Sequence, residues 1–496
     1  MNNPKPLITC KSWWMKDNPI ARRFEALAGL HSTEVLIIGG GITGLTTAIE
    51  LAERGHVVTV CDAQAIGAGT TAGSSAHLDA HPEITPRDLI DTLGSDDAAV
   101  YTSLRLAAID AIERRSAGEA DFARVSAYQY SENGNDGAEL RENMDAARQL
   151  GLSVSWCDNV PISRAACGYR IANMARFDCR KYLSRLVDIA VDLGVTIFEK
   201  TLVAGPTEEQ VTSLSAGDGN VKFEHVVCAT HCSFTSGNLL YAATPPYQSY
   251  IVVAKVHRPP DDALFWDNSD PYYYVRRVGE DHESLILVGG CDHRTGTGDS
   301  VKAMECVEDW IHQRFEVQSI VQRWSAEFFE PTDGLPMIGL GPGKKNIWVA
   351  TGLSGVGLTL GTAAATLIAD GIEGKKIALE DAFSPNRMAL SKDWLLEQGT
   401  AAANLAERVW PASSVSVKDL DDGEGHVGKV DGQHVAVCRD VDGCIHTLDP
   451  ICPHMGGVLH WNEAEQTWDC PLHGGRFTAS GKRMYGPPES DLKTIT

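Results

Sequence analysis

Two cysteines and two histidines near the C-terminus have a spacing that suits metal binding. Cys452 and His454 lie in one short segment and Cys470 and His473 in a second, which gives the pattern C-x-H-x15-C-x-x-H. Two thiolates and two imidazoles can hold a [2Fe–2S] cluster, with both cysteines on one iron and both histidines on the other. Tetrahedral zinc is the alternative, but zinc usually takes cysteines from C-x2–4-C loops, whereas each segment here carries one Cys and one His. The spacing therefore predicts a one-electron iron–sulfur centre.

Glycines follow each half of this motif. Gly456-Gly457 and Gly474-Gly475 allow tight turns close to a cluster, because glycine has no Cβ and tolerates positive φ. The Gly-Pro-Pro run at 486–488 follows where a third, covering loop is expected. In these features the segment from about 409 to 496 resembles a Rieske ferredoxin domain. The resemblance implies an all-β domain with the cluster ligands Cys452, His454, Cys470 and His473.

The segment lacks two features that Rieske domains of respiratory complexes carry. Those domains have a disulfide between the two cluster loops, whereas the matching positions here are Gly457 and Leu472. They also place Ser and Tyr hydroxyls near the cluster sulfurs, where this chain has Gly475 and Phe477. Because fewer hydrogen-bond donors leave a cluster easier to oxidise, we expect a reduction potential toward the low end of the Rieske range of roughly −150 to +300 mV.

A nucleotide-binding pattern stands in the N-terminal part of the chain. An apolar, β-branched run at 34–38 precedes the glycine turn 39–44, which reads GGGITG and matches G-x-G-x-x-G. A helical spacing of apolar residues follows to Arg54, and a second strand-like run at 56–61 ends at Asp62. This order is typical of a Rossmann unit, in which the glycines let the backbone approach a pyrophosphate and the acid accepts hydrogen bonds from ribose hydroxyls.

Further segments resemble flavoproteins of the D-amino-acid-oxidase and sarcosine/glycine-oxidase family. A second small-residue loop at 67–75 follows the acid, at the place where those proteins cross the flavin. The remaining matching segments are 176–203, 226–230, 333–339 and 351–359. The resemblance extends from about Thr33 to Asp370. It implies bound FAD, with a helix N-terminus in the last segment directed at the flavin pyrimidine.

The same resemblance implies a set of FAD-binding residues. They are Gly39, Gly41, Ile42, Thr43, Gly44, Asp62, Ala63, Thr70, Thr71, Ser74, Val203, Ala229, Thr230, Asp333, Gly352, Gly355, Gly357, Leu358 and Thr359. We expect the FAD to be bound without a covalent link. Relatives with covalent flavin have a His in the second glycine loop or a Cys before the C-terminal motif, where this chain has Gly73 and the Phe-Phe-Glu-Pro run at 328–331.

Residues of the intervening segments belong, by the same resemblance, to a substrate domain. Strand-like runs at 247–256, 272–278 and 285–290 are expected to form a sheet over the flavin. In amine-oxidising relatives, Tyr and Arg side chains of this sheet bind the substrate carboxylate, which makes Tyr274 and Arg276 candidates. The alternative is that Arg276 and Arg277 are solvated charges at a strand edge.

Two histidines after the second glycine loop are further candidates for catalysis. His77 and His81 are spaced i, i+4, as in a helical metal site, but Pro82 follows at once and no third ligand is evident. Their position instead suggests that one of them faces the substrate. His293 is expected to be structural.

The predicted fold is an α/β plus α+β chain in three parts. Residues 30–385 form the FAD-dependent oxidoreductase, a Rossmann-type domain interleaved with an antiparallel-sheet substrate domain; 386–410 form a linker helix; and 411–496 form the all-β Rieske domain. The FAD-binding segments are expected at about 30–88, 151–240 and 321–385, and the substrate segments at about 89–150 and 241–320.

Composition limits the partners and the compartment. The formal net charge of −23 argues against nucleic acid and against an anionic membrane surface. The chain has thirteen cysteines, and the eleven besides Cys452 and Cys470 are scattered and odd in number, which suits free thiols in a reducing cytoplasm better than a disulfide framework. The uncharged stretch 346–369 is long enough to span a bilayer, but its glycines favour a buried strand, a turn and a helix over a membrane span.

Together these patterns predict an FAD- and [2Fe–2S]-dependent oxidoreductase acting on a small molecule. The expected reaction is hydride transfer from an amine or amino-acid-like substrate to flavin, with electrons passed singly through the cluster to an external acceptor such as a ferredoxin. In the reverse alternative, the cluster delivers electrons to the flavin for a reduction. A Rieske-type monooxygenase is a further alternative, but it needs a mononuclear iron held by two His and a carboxylate, for which His77 and His81 are the sole hint.

Overall fold

The computed structural model of the chain describes residues 8, 11–16, 20–81, 83–206, 208–232, 238–279, 283–387, 392–408 and 413–495. The α-helices in these ranges are α1 (Ile42–Glu53), α2 (Pro86–Leu93), α3 (Ser95–Ser116), α4 (Gly137–Gln149), α5 (Cys179–Asp192), α6 (Asn238–Ala243), α7 (Ser300–Arg314), α8 (Gly357–Ile372), α9 (Glu380–Phe383) and α10 (Lys392–Glu407). The strands are β1 (Ala28–Ser32), β2 (Val35–Ile38), β3 (Val58–Cys61), β4 (His77–Leu78), β5 (Ala123–Ser131), β6 (Val154–Cys157), β7 (Cys167–Arg176), β8 (Thr196–Phe198), β9 (Ser213–Ala216), β10 (Asp218–Lys222), β11 (His225–Cys228), β12 (Pro246–Val256), β13 (Leu264–Asp267), β14 (Tyr273–Val278), β15 (Leu285–Arg294), β16 (Val317–Phe329), β17 (Met337–Leu340), β18 (Ile347–Thr351), β19 (Gly425–Val430), β20 (Gln433–Arg439), β21 (Ile445–Leu448), β22 (His460–Asn462), β23 (Thr467–Asp469), β24 (Arg476–Thr478) and β25 (Arg483–Tyr485).

A six-stranded sheet in the order β17-β18-β11-β2-β3-β8 forms the nucleotide-binding layer. Its strand pairs are parallel except for β17 with β18. β2 and β3 are wholly buried runs, VLII and VTVC, as expected for parallel strands covered by helices on both faces. Helix α1 follows β2 after the glycine turn and packs against α5 and α8. The predicted Rossmann-type unit is confirmed.

A nine-stranded mixed sheet forms the second layer. Its order is β16-β12-β15-β14-β13-β5-β7-β4, with β6 paired to β7, and its pairs are antiparallel except for β13 with β5. The sheet corrects two predicted segment limits. β6 and β7 fall within the range 151–240 and most of β16 falls within 321–385, both of which were assigned to FAD binding. Local sequence patterns did not show these pairings, because β7 and β16 pair with strands far away in the chain.

The predicted linker helix at 386–410 is shorter in the structure. Helix α9 ends at Phe383, and α10 spans Lys392–Glu407; residues 388–391 and 409–412 lie outside the described ranges. Ser384 has an extended conformation, with ψ of 124°. Pro385 follows it, and a proline disfavours the helical conformation in the residue before it.

Two antiparallel sheets, β19-β20-β21 and β22-β23-β24-β25, form the predicted C-terminal β domain. Trp468 and Phe477 are fully buried between them. Helix α10 is joined to this domain by Asn404, whose side chain donates to the Val458 carbonyl at 3.0 Å and accepts from the Val458 amide at 3.1 Å. The domain is therefore fastened to the helix that precedes it.

A buried ionic network joins the β domain to the nine-stranded sheet. Arg476 is 3% exposed and pairs with Asp469 at 2.9 Å and with Glu465. Gln248 of β12 donates its side-chain amide to Glu465 and also to Ser325 of β16, the latter at 2.6 Å. Because each charge in this network has a partner, the β domain can bury this face against the sheet.

One helical stretch in the described ranges, Ser354–Ile372, is long and apolar enough to cross a membrane by length and composition. Here 61% of its apolar window is buried inside the fold, and α8 packs against α1 and α3. The residues before it form β18 and a 3-10 turn at Ser354–Val356. The predicted strand, turn and buried helix are therefore confirmed.

Replacing Gly44 by Ala tests the tight contact between α1 and the glycine turn. A Cβ at Gly44 would lie 1.9 Å from the Gly39 carbonyl oxygen. We expect Gly44→Ala to lower the apparent melting temperature by ~3–10 °C, because the backbone must shift to relieve this overlap. Gly399→Ala in α10 is the matched control, since a Cβ there meets nothing within 4 Å. Equal melting temperatures of the two variants would contradict the assigned packing.

Candidate functional site

A cavity of about 360 Å³ lies between the two large sheets. The glycine turn 39–41, the loop 67–71 and the start of α8 form one part of its wall. Side chains from β12 to β16 form the opposite part. The segment 483–489 of the C-terminal domain also lines it. The nucleotide-binding layer, the nine-stranded sheet and the C-terminal domain therefore meet at this cavity.

The glycine turn brings the backbone to the cavity surface. Gly39 has φ of 107°, and a Cβ there would lie 2.4 Å from the Ala229 carbonyl oxygen. Asp62 lines the cavity and accepts hydrogen bonds from the amides of Gly40 and Gln64, each at 2.7 Å. Burial raises the pKa of Asp62, whereas these amides lower it. The carboxylate therefore orders the turn as well as facing the nucleotide side of the cavity.

Two helix N-termini open onto the cavity. Helix α1 begins after Gly41 and α8 begins after Val356, and neither first turn contains an acidic residue. The Ile42 amide donates to Thr71 Oγ1 at 3.2 Å. Helix N-termini carry partial positive charge and favour anionic groups. These two termini fit the pyrophosphate and the anionic edge of a reduced flavin, so the residues present fit FAD.

Most of the predicted FAD-binding residues line this cavity. Those that do are Gly39, Gly41, Ile42, Thr43, Asp62, Ala63, Thr70, Thr71, Ser74, Val203, Ala229, Thr230, Gly355, Gly357 and Leu358. Gly44, Asp333, Gly352 and Thr359 do not line it, and contact of these four residues with FAD stays a prediction.

The four residues outside the cavity support its walls. Gly44 lets α1 approach the turn, as its contact with the Gly39 oxygen shows. Asp333 is bound to Arg387 by two hydrogen bonds of 2.7 and 2.9 Å. Gly352 has φ of 61° and packs against Pro331. Thr359 is 2% exposed, because it lies on the buried face of α8.

An aromatic group lies at the other end of the cavity, where Tyr274 was predicted to bind substrate. The Tyr274 hydroxyl is 3.0 Å from Ser249 Oγ, and its ring makes an edge contact with His77 at 5.6 Å between centroids. Gly289 stands opposite Tyr274 on β15, and a Cβ there would lie 2.2 Å from the ring. Because Gly289 has no side chain, the Tyr274 ring can lie across the sheet at this position.

Both predicted histidines line the cavity, but not on a helix. His77 lies in β4, its Nδ1 is 3.0 Å from Ser75 Oγ, and its buried Nε2 has no hydrogen-bond partner among the described residues. Burial, followed by the charge of Arg276, lowers the pKa of His77 to about 3. His81 Nε2 is 2.7 Å from the Tyr169 hydroxyl. The helical i, i+4 arrangement considered from the sequence is therefore wrong.

Arg276 does not reach the cavity, which corrects the prediction that it binds substrate. It is 2% exposed, and its guanidinium donates to the carbonyls of Ala76 and Phe177, the latter at 3.2 Å. Burial lowers the pKa of Arg276 to about 9. Arg276 shares a strand face with Tyr274, but the cavity ends before it. Sequence alternation gives the face of a strand but not where a cavity on that face ends.

Several polar and aromatic residues of the cavity wall were not predicted from the sequence. They are Asp292, Glu83, Trp266, Tyr272 and Glu327. A usable signal existed for Asp292, because an acid directly after the apolar run of β15 is unusual in a buried strand. His293, the next residue, is structural as expected: its Nε2 is 3.1 Å from the Tyr250 hydroxyl.

The four predicted cluster ligands come together in the C-terminal domain. Cys452 and Cys470 are 3% and 2% exposed, and the Cys452 thiol, then the amides of Leu472 and His473, lower the pKa of Cys470. The rings of His454 and His473 are 5.1 Å apart, and the buried His454 Nδ1 has no hydrogen-bond partner among the described residues. The buried, unpartnered His454 Nδ1 and the close approach of the two cysteines and two histidines fit a [2Fe–2S] cluster.

No group of three or more His, Cys, Asp or Glu residues in the described ranges converges on one metal ion. A Rieske cluster agrees with this finding, because each of its irons takes two protein ligands. All twelve described cysteines are free. A Cβ at Gly457 would lie 2.9 Å from both Leu472 Cδ1 and Cys470 Sγ. The two cluster loops therefore approach each other at Gly457 and Leu472, the positions where Rieske domains of respiratory complexes have a disulfide.

The histidine edge of the cluster site faces the FAD-binding domain. Tyr241 of α6 packs against both rings, at 4.9 Å from His454 and 4.7 Å from His473 between centroids. Glu327 of β16, a cavity residue, touches Gly474: a Cβ there would lie 2.6 Å from its Oε1. The predicted third loop, Gly486-Pro487-Pro488, lines the cavity itself. The cluster loops and the cavity thus share residues.

Two family models match this chain. The model of the FAD dependent oxidoreductases matches residues 34–371, and that of the Rieske [2Fe-2S] domain matches residues 412–496. These ranges contain the cavity and the four clustered Cys and His residues, respectively.

One relative matches along nearly the whole chain. The protein YhfW of Bacillus subtilis (strain 168), described as a Rieske 2Fe-2S iron-sulfur protein, is 31% identical over 492 residues, which are 95% of each chain. L-amino acid deaminase from Proteus vulgaris with its specific insertion sequence deleted has a TM-score of 0.61 at 17% identity, covering 75% of this chain and 99% of that chain. L-proline dehydrogenase from P. horikoshii has a TM-score of 0.59 at 18% identity, covering 73% and 98%. At these identities, the two structures show a shared fold.

Acid denaturation tests the expected non-covalent binding of FAD. Gly73, in the second glycine loop, faces Ala326, which offers no nucleophile. We expect acid precipitation of the purified protein to release the yellow colour into the supernatant. A yellow pellet after repeated washing would contradict the prediction. Pellet digestion and mass spectrometry would then show whether His77, His231 or Cys232 of the cavity wall carries the flavin.

A redox titration tests the expected potential of the cluster. Phe477 is fully buried and offers no hydroxyl to a sulfur atom, and Gly475 has no side chain. We expect a midpoint toward the low end of the range from roughly −150 to +300 mV, followed by the electron paramagnetic resonance signal of the reduced cluster. A midpoint near +300 mV would contradict this expectation.

Proposed function

We propose, since this chain belongs to the FAD dependent oxidoreductase family and contains a Rieske [2Fe-2S] domain, that it is a dehydrogenase for a small amine or amino-acid-like compound. Its electrons leave singly through the cluster to an external acceptor such as a ferredoxin. The shared fold with L-proline dehydrogenase and L-amino acid deaminase supports oxidation at a carbon bearing nitrogen. The free cysteines support a cytoplasmic location.

The two cofactors divide a pair of electrons: when bound, FAD accepts a hydride from the substrate carbon, and the [2Fe–2S] cluster carries one electron at a time. The substrate loses a hydride and an N–H proton and becomes an imine, which water hydrolyses. The chain's own residues hold the substrate and receive protons. Neutral His77 lines the cavity and its buried Nε2 has no hydrogen-bond partner among the described residues, so it can accept a hydrogen bond from the substrate.

The proposal rests on which ligands of the cluster site face the FAD-binding domain. Its cysteines are buried within their own domain, whereas both histidines are half-buried and lie against Tyr241 of the FAD-binding domain. Segment 483–489 of the same domain lines the cavity. A cluster placed there has its least covered ligands toward the FAD-binding domain, which supports electron exchange between the two cofactors of one chain.

The second candidate function is a reductase, in which electrons pass from the cluster to the flavin. The same contacts between the cluster loops and the FAD-binding domain would serve electron transfer in this direction. Separate potentiometric titrations of flavin and cluster distinguish the two directions. A flavin potential below that of the cluster supports the dehydrogenase, and a flavin potential above it supports the reductase. Measurement of the iron content tests the monooxygenase alternative. That enzyme needs a mononuclear iron in addition to the cluster, so it requires well over two irons per chain.

The variant Cys452→Ser tests the route of the electrons. Loss of a cluster ligand removes the cluster, so we expect reduction of a one-electron acceptor by substrate to fall at least about 100-fold. Anaerobic reduction of the flavin by the same substrate should persist, since Cys452 does not line the cavity. The matched control is Cys444→Ser, an exposed free cysteine of the same domain.

Two outcomes of this comparison decide the proposal. Wild-type acceptor reduction in Cys452→Ser, with O2 consumed and peroxide formed at full turnover, would show that the cluster is not the outlet. Loss of acceptor reduction in Cys452→Ser but not in Cys444→Ser is the expected result.

A further inference from the structure

A β-bulge directs Asp292 into the cavity. Strands β12 and β15 pair in regular register until Gln248 and Tyr250, where the ladder shifts. Cys291, within this irregularity, has φ of 55°, a left-handed conformation that is uncommon for a residue other than glycine. Bulges and strained residues occur at functional sites because they re-aim a side chain. The side chain re-aimed here is the Asp292 carboxylate, which lines the cavity.

Asp292 is a buried acid without a built-in counter-charge. Both carboxylate oxygens are buried, and neither meets the geometry of a hydrogen bond to another group in the described part of the chain. Desolvation raises the pKa of Asp292 to about 6, although the nearby hydroxyls of Ser249 and Tyr272 act in the opposite direction. A cationic ligand would relieve this unfavourable burial.

The rings of Tyr272 and Tyr274 lie near this carboxylate, and Trp266 lines the same cavity. Trp266 and Tyr274 are directly opposite each other on β13 and β14, and the Tyr272 ring lies 6.2 Å from that of Tyr274. Tyr272 is 37% exposed and lines the cavity, so part of its ring is open to a ligand. The face of an aromatic ring attracts a cation within about 6 Å, and Trp and Tyr do so most strongly.

The charges around these rings are mostly negative. Glu83 also lines the cavity, and burial, then the charges of Asp79, Glu330 and Asp292, raise its pKa to about 7. Arg105 is the cation nearest to Glu83, but it pairs with Asp79 at 2.9 Å. The carboxylates of Asp292 and Glu83 can therefore attract a positively charged ligand.

A carboxylate-bearing substrate finds no matching cation at this end. Among the lining residues in the described ranges, Arg483 is the sole Lys or Arg. Its guanidinium donates to the carbonyls of Gly486 and Pro488, and its charge partners are Asp62 and Glu489 on the nucleotide side. Arg276 is turned into the wall, as described above. An α-carboxylate beside Asp292 and Glu83 would be repelled.

We propose that Asp292, with Trp266, Tyr272 and Tyr274, binds the ammonium group of an amine substrate that has no carboxylate. This inference rests on the proposed dehydrogenase function and narrows its substrate class from amines and amino acids to carboxylate-free cationic amines. Asp292 accepts the charge or an N–H hydrogen bond of the ammonium group, and the aromatic rings cover its alkyl substituents.

A pair of inert probes of similar size tests the charge preference in the FAD-loaded protein. Tetramethylammonium and pivalate differ mainly in the sign of their charge, and each is titrated against the visible spectrum of the bound flavin. We expect tetramethylammonium to bind and pivalate to leave the spectrum unchanged. We expect Asp292→Asn to raise the Kd for tetramethylammonium on the order of 10- to 100-fold, as for other buried charged contacts.

The control variant is Asp91→Asn, an exposed acid on α2 that pairs with Arg87. It should leave the Kd for tetramethylammonium unchanged. Tighter binding of pivalate than of tetramethylammonium by the wild-type protein would overturn the inference. A Kd in Asp292→Asn equal to that of the wild type would do the same. The wild-type comparison decides the question even if Asp292→Asn does not fold.

Anaerobic flavin reduction separates this inference from the proposed function. N-methylbutylamine is compared with N-methyl-β-alanine, which replaces its last two carbons with a carboxylate, and with N-methylglycine. Reduction by N-methylbutylamine alone is the expected result. Reduction by the two amino acids alone would overturn the inference and leave the dehydrogenase in place. Asp292-dependent binding of tetramethylammonium without flavin reduction by any amine or amino acid would overturn the dehydrogenase and leave the cation site.

Discussion

The buried ion pairs of Arg476 hold the two redox sites of this chain against each other. Arg476 binds Asp469 and Glu465 within the β domain, and Gln248 of the nine-stranded sheet reaches the same Glu465. A buried ion whose partner is removed costs about 3–5 kcal/mol, so this face of the domain is stable only while its charges are matched. The position of the cluster loops on the FAD-binding domain depends on that match.

The same arrangement keeps the aromatic and acidic end of the cavity apart from the cluster ligands. The aromatic and acidic end of the cavity belongs to the nine-stranded sheet, whereas the cluster ligands belong to the C-terminal domain. Tyr241 and Glu327 lie where the two meet. Because the segment 483–489 lines the cavity, the cluster domain also forms part of the wall of the flavin site.

The prediction from sequence succeeded where a short motif carries its own geometry. The glycine turn 39–44 and the Cys/His pairs act through neighbouring backbone, so spacing alone identified them, and most of the implied FAD-binding residues line the cavity. It failed for Arg276, which shares a strand face with Tyr274 but donates to backbone carbonyls. It missed Asp292, because a bulge changes the direction of a side chain and strand alternation does not reveal a bulge.

The sequence by itself determined the two cofactor-binding units, their order and the four clustered ligands, because each depends on residues close together in the chain. Only the tertiary structure decided which side chains share the substrate end of the cavity. Ser249, Trp266, Tyr274 and Asp292 come from four strands of one sheet, and their register brings them together. The packing of His454 and His473 against Tyr241 was likewise visible only in the structure. Contacts between distant segments depend on packing and on the pairing of buried charges, which no local pattern specifies.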